Sequence, residues 1–159
     1  MALRFHGSKG ISANGTDWAF QIATGGIVQK PSTPMFDVSS SVSVAATNRQ
    51  TFNAIYVNRG NYFANNRFTA PVAGAYFFTF STIKSASSTT TVVRSYLYKN
   101  GAALYNNRHL RLSEGTNYGE GSCSWLVQLN VGDYVEVWIG AGASHPSHEY
   151  TWFNGFYLG

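Results

Sequence analysis

Hydrophobic and polar positions alternate in short runs along most of this chain. Val92, Arg94, Tyr96 and Tyr98 interleave with Val93, Ser95 and Leu97. Cys123, Trp125, Val127 and Leu129 interleave with Ser124, Leu126 and Gln128. Val135, Val137 and Ile139 interleave with Tyr134, Glu136 and Trp138. A period of two sends successive side chains to opposite faces of an extended strand. Turn-forming residues stand between the runs. Asn100-Gly101 suits a tight hairpin because both residues tolerate positive φ, and Asn130 to Asp133 is a second turn. Residues 150–158 form a last aromatic strand. Long helical periodicity is missing. Short strands punctuated about every 8–12 residues predict an all-β sandwich.

The stretch from Phe68 to Phe80 is the most informative. Pro71 donates no backbone N–H and belongs at a strand end or turn, and Gly74 supplies a conformation that residues with a Cβ avoid. Tyr76, Phe78 and Phe80 then share one face of a strand, with Phe77, Thr79 and Ser81 on the other. Aromatic residues on both faces must bury something on both sides. A sandwich core accounts for one side, and the other calls for a second sheet or a partner chain.

The first third differs. Residues 1–30 carry five glycines and only a weak alternation at Trp18, Phe20 and Ile22. Pro31 and Pro34, three apart, stiffen the segment that follows. We place a boundary near residue 33, with an extended N-terminal arm over 1–33 and the sandwich domain over 34–159. The Ser- and Thr-rich stretch 85–91 reads as a polar loop between two strands.

Composition sharpens this. The chain has 159 residues, the size of one domain or of one domain with an arm. Charged residues make up 11% and aromatics 16%, against a usual charged fraction of about 25%. A surface so poor in charge predicts that other protein covers much of it. The net charge of +4 comes from eleven basic residues scattered along the sequence. Arg108 and Arg111 are the only close pair, and nucleic-acid binding usually shows a denser basic stripe, so no nucleic-acid partner is expected. Cys123 is alone, which rules out an intrachain disulfide. The chain opens on Met1 without a basic-then-apolar signal pattern, and no apolar run approaches the ~18 residues of a membrane span. Neither a membrane partner nor a cleaved export signal is expected.

Four stretches in order carry a family resemblance. They are Asn61 to Phe78, with Arg67-Phe68-Thr69-Ala70-Pro71 at its centre; Leu97 to Gly101; Leu129 to Val137, with Gly132-Asp133; and Phe153 to Leu158, with Gly155-Phe156. Together they resemble C1q-like domains of the C1q/TNF superfamily over residues 34–158. The resemblance implies a ten-stranded jelly-roll sandwich that assembles as a homotrimer, with a binding or structural role and no enzymatic one. It also implies that Tyr76, Phe77, Phe78, Phe80, Trp152, Phe153 and Phe156 are shared between the core and the threefold seam.

Animal members usually follow a collagen stalk, and no such repeat occurs here. Gly26 to Phe36 instead resembles the Gly-x-Val-x-x-Pro-x-x-Pro-x-Phe lead-in of tailed-phage virion proteins. That implies a bacteriophage structural protein, either a capsid decoration (cement) protein or a short tail-fibre tip. It would dock on the major capsid protein or a tail component through an arm bearing Trp18, Phe20, Pro31 and Pro34. The alternative is an extracellular glycan- or receptor-binding adhesin of the same fold, with Tyr105, Tyr118, Trp138 and Tyr150 as candidate glycan contacts.

Other chemistry is sparse. His145, His148 and Glu149 are metal-ligand residue types, but their spacing is common and they read as a solvent or trimer-rim loop, so no metal or cofactor is assigned. Asp133, Glu136 and Glu149 are too thinly placed for a calcium site. Gly119 to Cys123 lacks the nucleophile elbow, and no His lies near a Ser or Cys with an orienting acid. Glu114 and Glu120 flank a Gly-containing loop and read as a solvated hairpin, not as a glycosidase pair. No enzyme is predicted.

Overall fold

The computed structural model describes residues 32–84, 92–105, 108–113 and 120–159, together with the backbone of four N-terminal strands. The chain divides into two units, Met1–Thr33 and Pro34–Gly159. In the first, β1 (Arg4–His6), β2 (Gly10–Ser12), β3 (Trp18–Ile22) and β4 (Val28–Gln29) pair antiparallel in that order. These stretches are therefore strand-paired where the sequence reading has an extended arm. β1, β2 and β4 hold only two or three residues, too few to register as a period of two, while the five-residue β3 is the stretch of weak alternation at Trp18, Phe20 and Ile22. The expectations for Pro31, Tyr118 and 85–91, and for the side chains of Trp18 and Phe20, lie outside the described residues.

The second unit contains two antiparallel sheets. The five-stranded sheet runs β14 (Glu120–Leu129), β10 (Gly74–Ile83), β16 (Trp152–Tyr157), β5 (Met35–Ser39) and β7 (Ala54–Arg59). The seven-stranded sheet runs β12 (Ala102–Ala103), β11 (Val92–Lys99), β15 (Tyr134–Ala141), β9 (Arg67–Thr69) and β8 (Phe63–Ala64), with β13 (Leu110–Ser113) on β11 and β6 (Asn48–Arg49) on β15. Twelve strands thus stand among the described residues of this unit, where ten were expected. The count rises because tight turns cut ladders into short pieces. Asn65 and Asn66, with φ of 51° and 59°, separate β8 from β9, and Asn100 and Gly101, with φ of 51° and 81°, separate β11 from β12.

The two sheets face each other across an aromatic core. Tyr76, Phe78 and Phe80 point inward from β10, as the alternation requires, and meet Trp125, Val127 and Phe153 from the flanking strands. Phe36 stacks on Phe63 at 4.9 Å and on Phe68 at 5.1 Å, and meets Phe153 edge-on at 4.9 Å. Offset and edge-on pairs of this kind contribute about 0.5–1.5 kcal/mol each beyond their buried area. The lead-in therefore ends inside the core. Pro34 is buried, and its carbonyl accepts the Tyr157 N–H at 3.0 Å. Gly74 has φ of +150°, where an added Cβ would collide with the Gly159 carbonyl. Gly155 leaves room for the rings of Phe78 and Phe36 to lie against the backbone.

One polar clasp ties the sheets at an end. Lys99 Nζ lies 2.8 Å from an Asp133 carboxylate oxygen and donates to the Gln128 carbonyl on the opposite sheet at 3.2 Å. The Asn100 side chain donates to Asp133 at 2.7 Å and accepts the Tyr134 N–H at 2.9 Å.

Candidate functional site

Each sheet gives one face to the core and leaves one open, and the two open faces differ in chemistry. On the five-stranded sheet, register partners line up in rows. Leu126, Phe77, Phe156 and Met35 form an apolar row across four strands. Ser124, Thr79, Asn154 and Asp37 form a polar row beside it. Ser122, Ser81, Trp152 and Ser39 form a third. Phe77 and Phe156 touch, with ring centroids 5.7 Å apart. Leu126 is 61% exposed and Phe156 39%.

This geometry separates the aromatic residues that the resemblance had grouped. Tyr76, Phe78, Phe80 and Phe153 are fully buried core residues, while Phe77, Phe156 and Trp152 lie on the open face. The division follows the strand period: odd residues of β10 and even residues of β16 point away from the core.

Beside Trp152 the open face holds a cavity of about 320 Å³ lined by Asp37, Ser39, Tyr56, His148, Trp152 and Asn154. The Ser39 hydroxyl lies 2.8 Å from His148 Nδ1 and 3.2 Å from the Tyr56 hydroxyl. Burial pushes the Asp37 carboxyl above its ordinary range. A hydroxyl against an imidazole is half of a nucleophile arrangement. Here Ser39 is only 1% exposed, and no carboxylate is hydrogen-bonded to His148 among the described residues.

The open face of the seven-stranded sheet is built around Glu136. Its neighbours Val135 and Val137 point into the core, so its side chain points out, yet it is only 4% exposed. Arg49 and Arg67 both reach the same Glu136 carboxylate oxygen, at 3.0 and 3.3 Å, and Trp138 Nε1 donates to the other at 2.9 Å. Tyr98 stacks on Trp138 at 5.0 Å, and the Arg67 guanidinium lies 4.2 Å above the Tyr134 ring. Glu136 is thus engaged by two cations and an indole.

The remaining candidates lie in separate neighbourhoods. Trp138 belongs to the Glu136 cluster, so it fills neither the core nor the five-stranded face. Tyr150 is exposed beside a second hollow that also involves Trp152. Tyr105 is exposed beside Arg108, 5.2 Å from its guanidinium. His148 is held by Ser39, His145 meets the Tyr150 ring edge-on at 5.2 Å, and Glu149 is exposed. No group of three or more His, Cys, Asp and Glu side chains converges among the described residues. Asp133 is clasped by Lys99, Asn100 and the Asn130 N–H, which hold its carboxyl down to about 2. Cys123 packs against the core, and burial raises its thiol. The sequence reading missed the Ser39–His148 contact and the cations around Glu136, because they join residues far apart in the chain.

Two facing antiparallel sheets thus enclose an aromatic core. The C1q domain model matches residues 35–158. The chain belongs to the C1q domain family. Complement C1q tumor necrosis factor-related protein 3 of Homo sapiens, and the mouse protein of the same name, are each 33% identical to it over 110 residues, 67% of this chain. The chain spans 43% of the length of these relatives.

Solved structures agree on the fold. The globular domain of zebrafish complement 1qA superposes with a TM-score of 0.56 at 20% identity, over 80% of this chain and 98% of that one. Murine APRIL gives 0.61 at 14% identity, over 79% and 99%. The Eiger TNF of S. frugiperda gives 0.58 at 13%, over 80% and 93%. C1q domains are generally binding modules without enzymatic activity. These relatives are animal proteins, and a virion setting is not among them.

Proposed function

We propose that this C1q domain is a homotrimeric, non-enzymatic binding module whose subunits meet through the open face of the five-stranded sheet. The supporting observation is the apolar row of Leu126, Phe77, Phe156 and Met35, in which Leu126 and Phe156 are exposed and Phe77 and Met35 half-buried among the described residues. Exposed apolar surface running across several strands marks an association site. A threefold ring is a closed heterologous assembly, so each subunit contributes the same two patches at every seam. The aromatic excess of the strand after Gly74 then has its place: Phe77 serves the seam, and Tyr76, Phe78 and Phe80 serve the core. Sedimentation of the purified chain should give three copies of the 17.4 kDa subunit. A monomer at all concentrations would remove the proposal.

We place the module outside the cell or on a virion surface. The division of the chain at Thr33 favours a role for the first unit that is separate from the sandwich. Docking of a capsid decoration or fibre-tip protein is such a role, and the Gly26-to-Phe36 lead-in supports it. Deleting residues 1–30 should then preserve the trimer and abolish particle association. Retained particle association would count against docking through this segment.

A further inference from the structure

One carboxylate on the open face of the five-stranded sheet has no counter-charge. Asp37 sits on β5 between its register partners, Asn154 on β16 and Val57 on β7. Its side chain takes part in no ion pair or hydrogen bond among the described residues. Burial pushes the carboxyl above its ordinary range, and no partner holds it down. Asp is also a poor strand former. The fold gains no contact from a charge at this position, and an unpaired charge inside a cavity points to a ligand.

The walls around Asp37 indicate which ligand. Trp152 and Tyr56 give the cavity two aromatic sides, and neither ring is stacked on another ring or on a guanidinium among the described residues. No lysine or arginine lines it. The remaining polar atoms are placed to accept. Ser39 Oγ donates its one proton to the Tyr56 hydroxyl at 3.2 Å. His148 Nδ1, 2.8 Å from the same oxygen, is therefore the donor of that contact, which leaves Nε2 as an acceptor. Asn154 adds an amide oxygen with no hydrogen-bond partner among the described residues. Negative charge, lone pairs and ring faces together match an ammonium group carried on an apolar body. A neutral polyol would leave Asp37 without a counter-charge, and an acid would be repelled by it. The volume of about 320 Å³ lies at the small end of ligand cavities.

We propose that this cavity binds a small organic ammonium ion, with its ammonium group on Asp37 and its carbon body against Trp152 and Tyr56. The lining comes from a single subunit and shares no residue with the apolar row assigned to the seam, so the site is complete without the trimer.

The probe is phenethylamine, titrated into the full chain at neutral pH by calorimetry. Phenethyl alcohol offers the same body without the charge, and methylammonium the charge without the body. Phenethylamine should bind at least about tenfold more tightly than either. Asp37→Asn should weaken it about tenfold without lowering the melting temperature, because the amide removes an unpaired charge. Trp152→Leu should weaken it as well, with circular dichroism confirming the fold. Failure of phenethylamine to bind, or full binding by folded Asp37→Asn, overturns the proposal. Equal binding of the alcohol or of methylammonium also overturns it, and that comparison on the unaltered chain decides even where a variant fails to fold. Trimers that bind no amine would sink this site and spare the assembly proposal, and monomers that bind it would do the reverse.

Discussion

Replacing Leu126 and Phe156 with serine should dissociate the assembly and leave the subunit folded. Full burial of a Leu or Phe side chain contributes ~1.5–3 kcal/mol. Leu126 still has 61% of its surface to lose and Phe156 39%. Covering them can therefore stabilise association by ~1–2 and ~0.5–1 kcal/mol in each subunit, or about 5–9 kcal/mol over three subunits. A loss of that size shifts the dissociation equilibrium by at least about a thousandfold. Within the subunit the cost is small. Leu126 faces outward, and Phe156 gives up one ring pair with Phe77, worth about 1 kcal/mol. Sedimentation velocity across a dilution series, with circular dichroism on the same samples, separates the two effects. Folded monomers are expected. Trimers that persist at the wild-type dilution would refute the seam assignment, and unfolded chains would show that the row belongs to the core. Phe78→Ser is the contrast: it removes a fully buried ring and should cost ~3–5 kcal/mol of folding stability.

Other perturbations test other parts. Gly155→Ala should destabilise the fold by about 1–3 kcal/mol in urea melts, because the new methyl meets the Phe78 ring, and pairing it with Phe78→Leu should cost less than the sum of the two single changes. Asp133 titrates at about 2 in the folded chain, below its ordinary 3.8. Its contribution is thus complete above about pH 4 and is lost as pH falls toward 2. Asp133→Asn should lower the melting temperature at pH 6 and flatten the decline between pH 4 and 2, and an unchanged acid limb would contradict the clasp. Glu136→Gln leaves Arg49 and Arg67 facing a neutral amide and should cost ~1–3 kcal/mol by thermal melting, with less loss when Arg67→Gln is added. Zinc should leave the melting temperature unchanged, since His148 is engaged by Ser39 and no further ligand converges on it among the described residues.

The core was legible in the sequence because one strand period decides it. Alternation at Tyr76, Phe78 and Phe80, at Trp125, Val127 and Leu129, and at Val135, Val137 and Ile139 places every one of these residues inside, where the structure has them. Asn100-Gly101 was legible because positive φ at both positions is a local demand that few residues meet. The open faces were not legible. Glu136 occupies an outward position and reads as a solvated carboxylate, but two arginines and an indole from three different strands cover it. Arg94 and Arg111 look unrelated in sequence and become neighbours only when β13 pairs with β11.

The two open faces also explain the sparse charge of the chain in different ways. A sandwich needs one apolar face per sheet, and the core positions supply it. The alternate positions of β10, β14 and β16 could have been charged at no cost to that core, yet they carry Phe77, Leu126 and Phe156. The alternate positions of β11, β13 and β15 carry Arg94, Arg111 and Glu136 together with Tyr96, Tyr98 and Trp138. Folding alone does not require such a segregation, because neither set contacts the opposite sheet. The proposed subunit seam would account for the apolar set on the five-stranded sheet. On the proposed assembly, the strand after Gly74 has two tasks, the core on one face and the seam on the other. Substitutions at Phe77 and at Phe78 should fail differently, the first losing the partner and the second losing the fold.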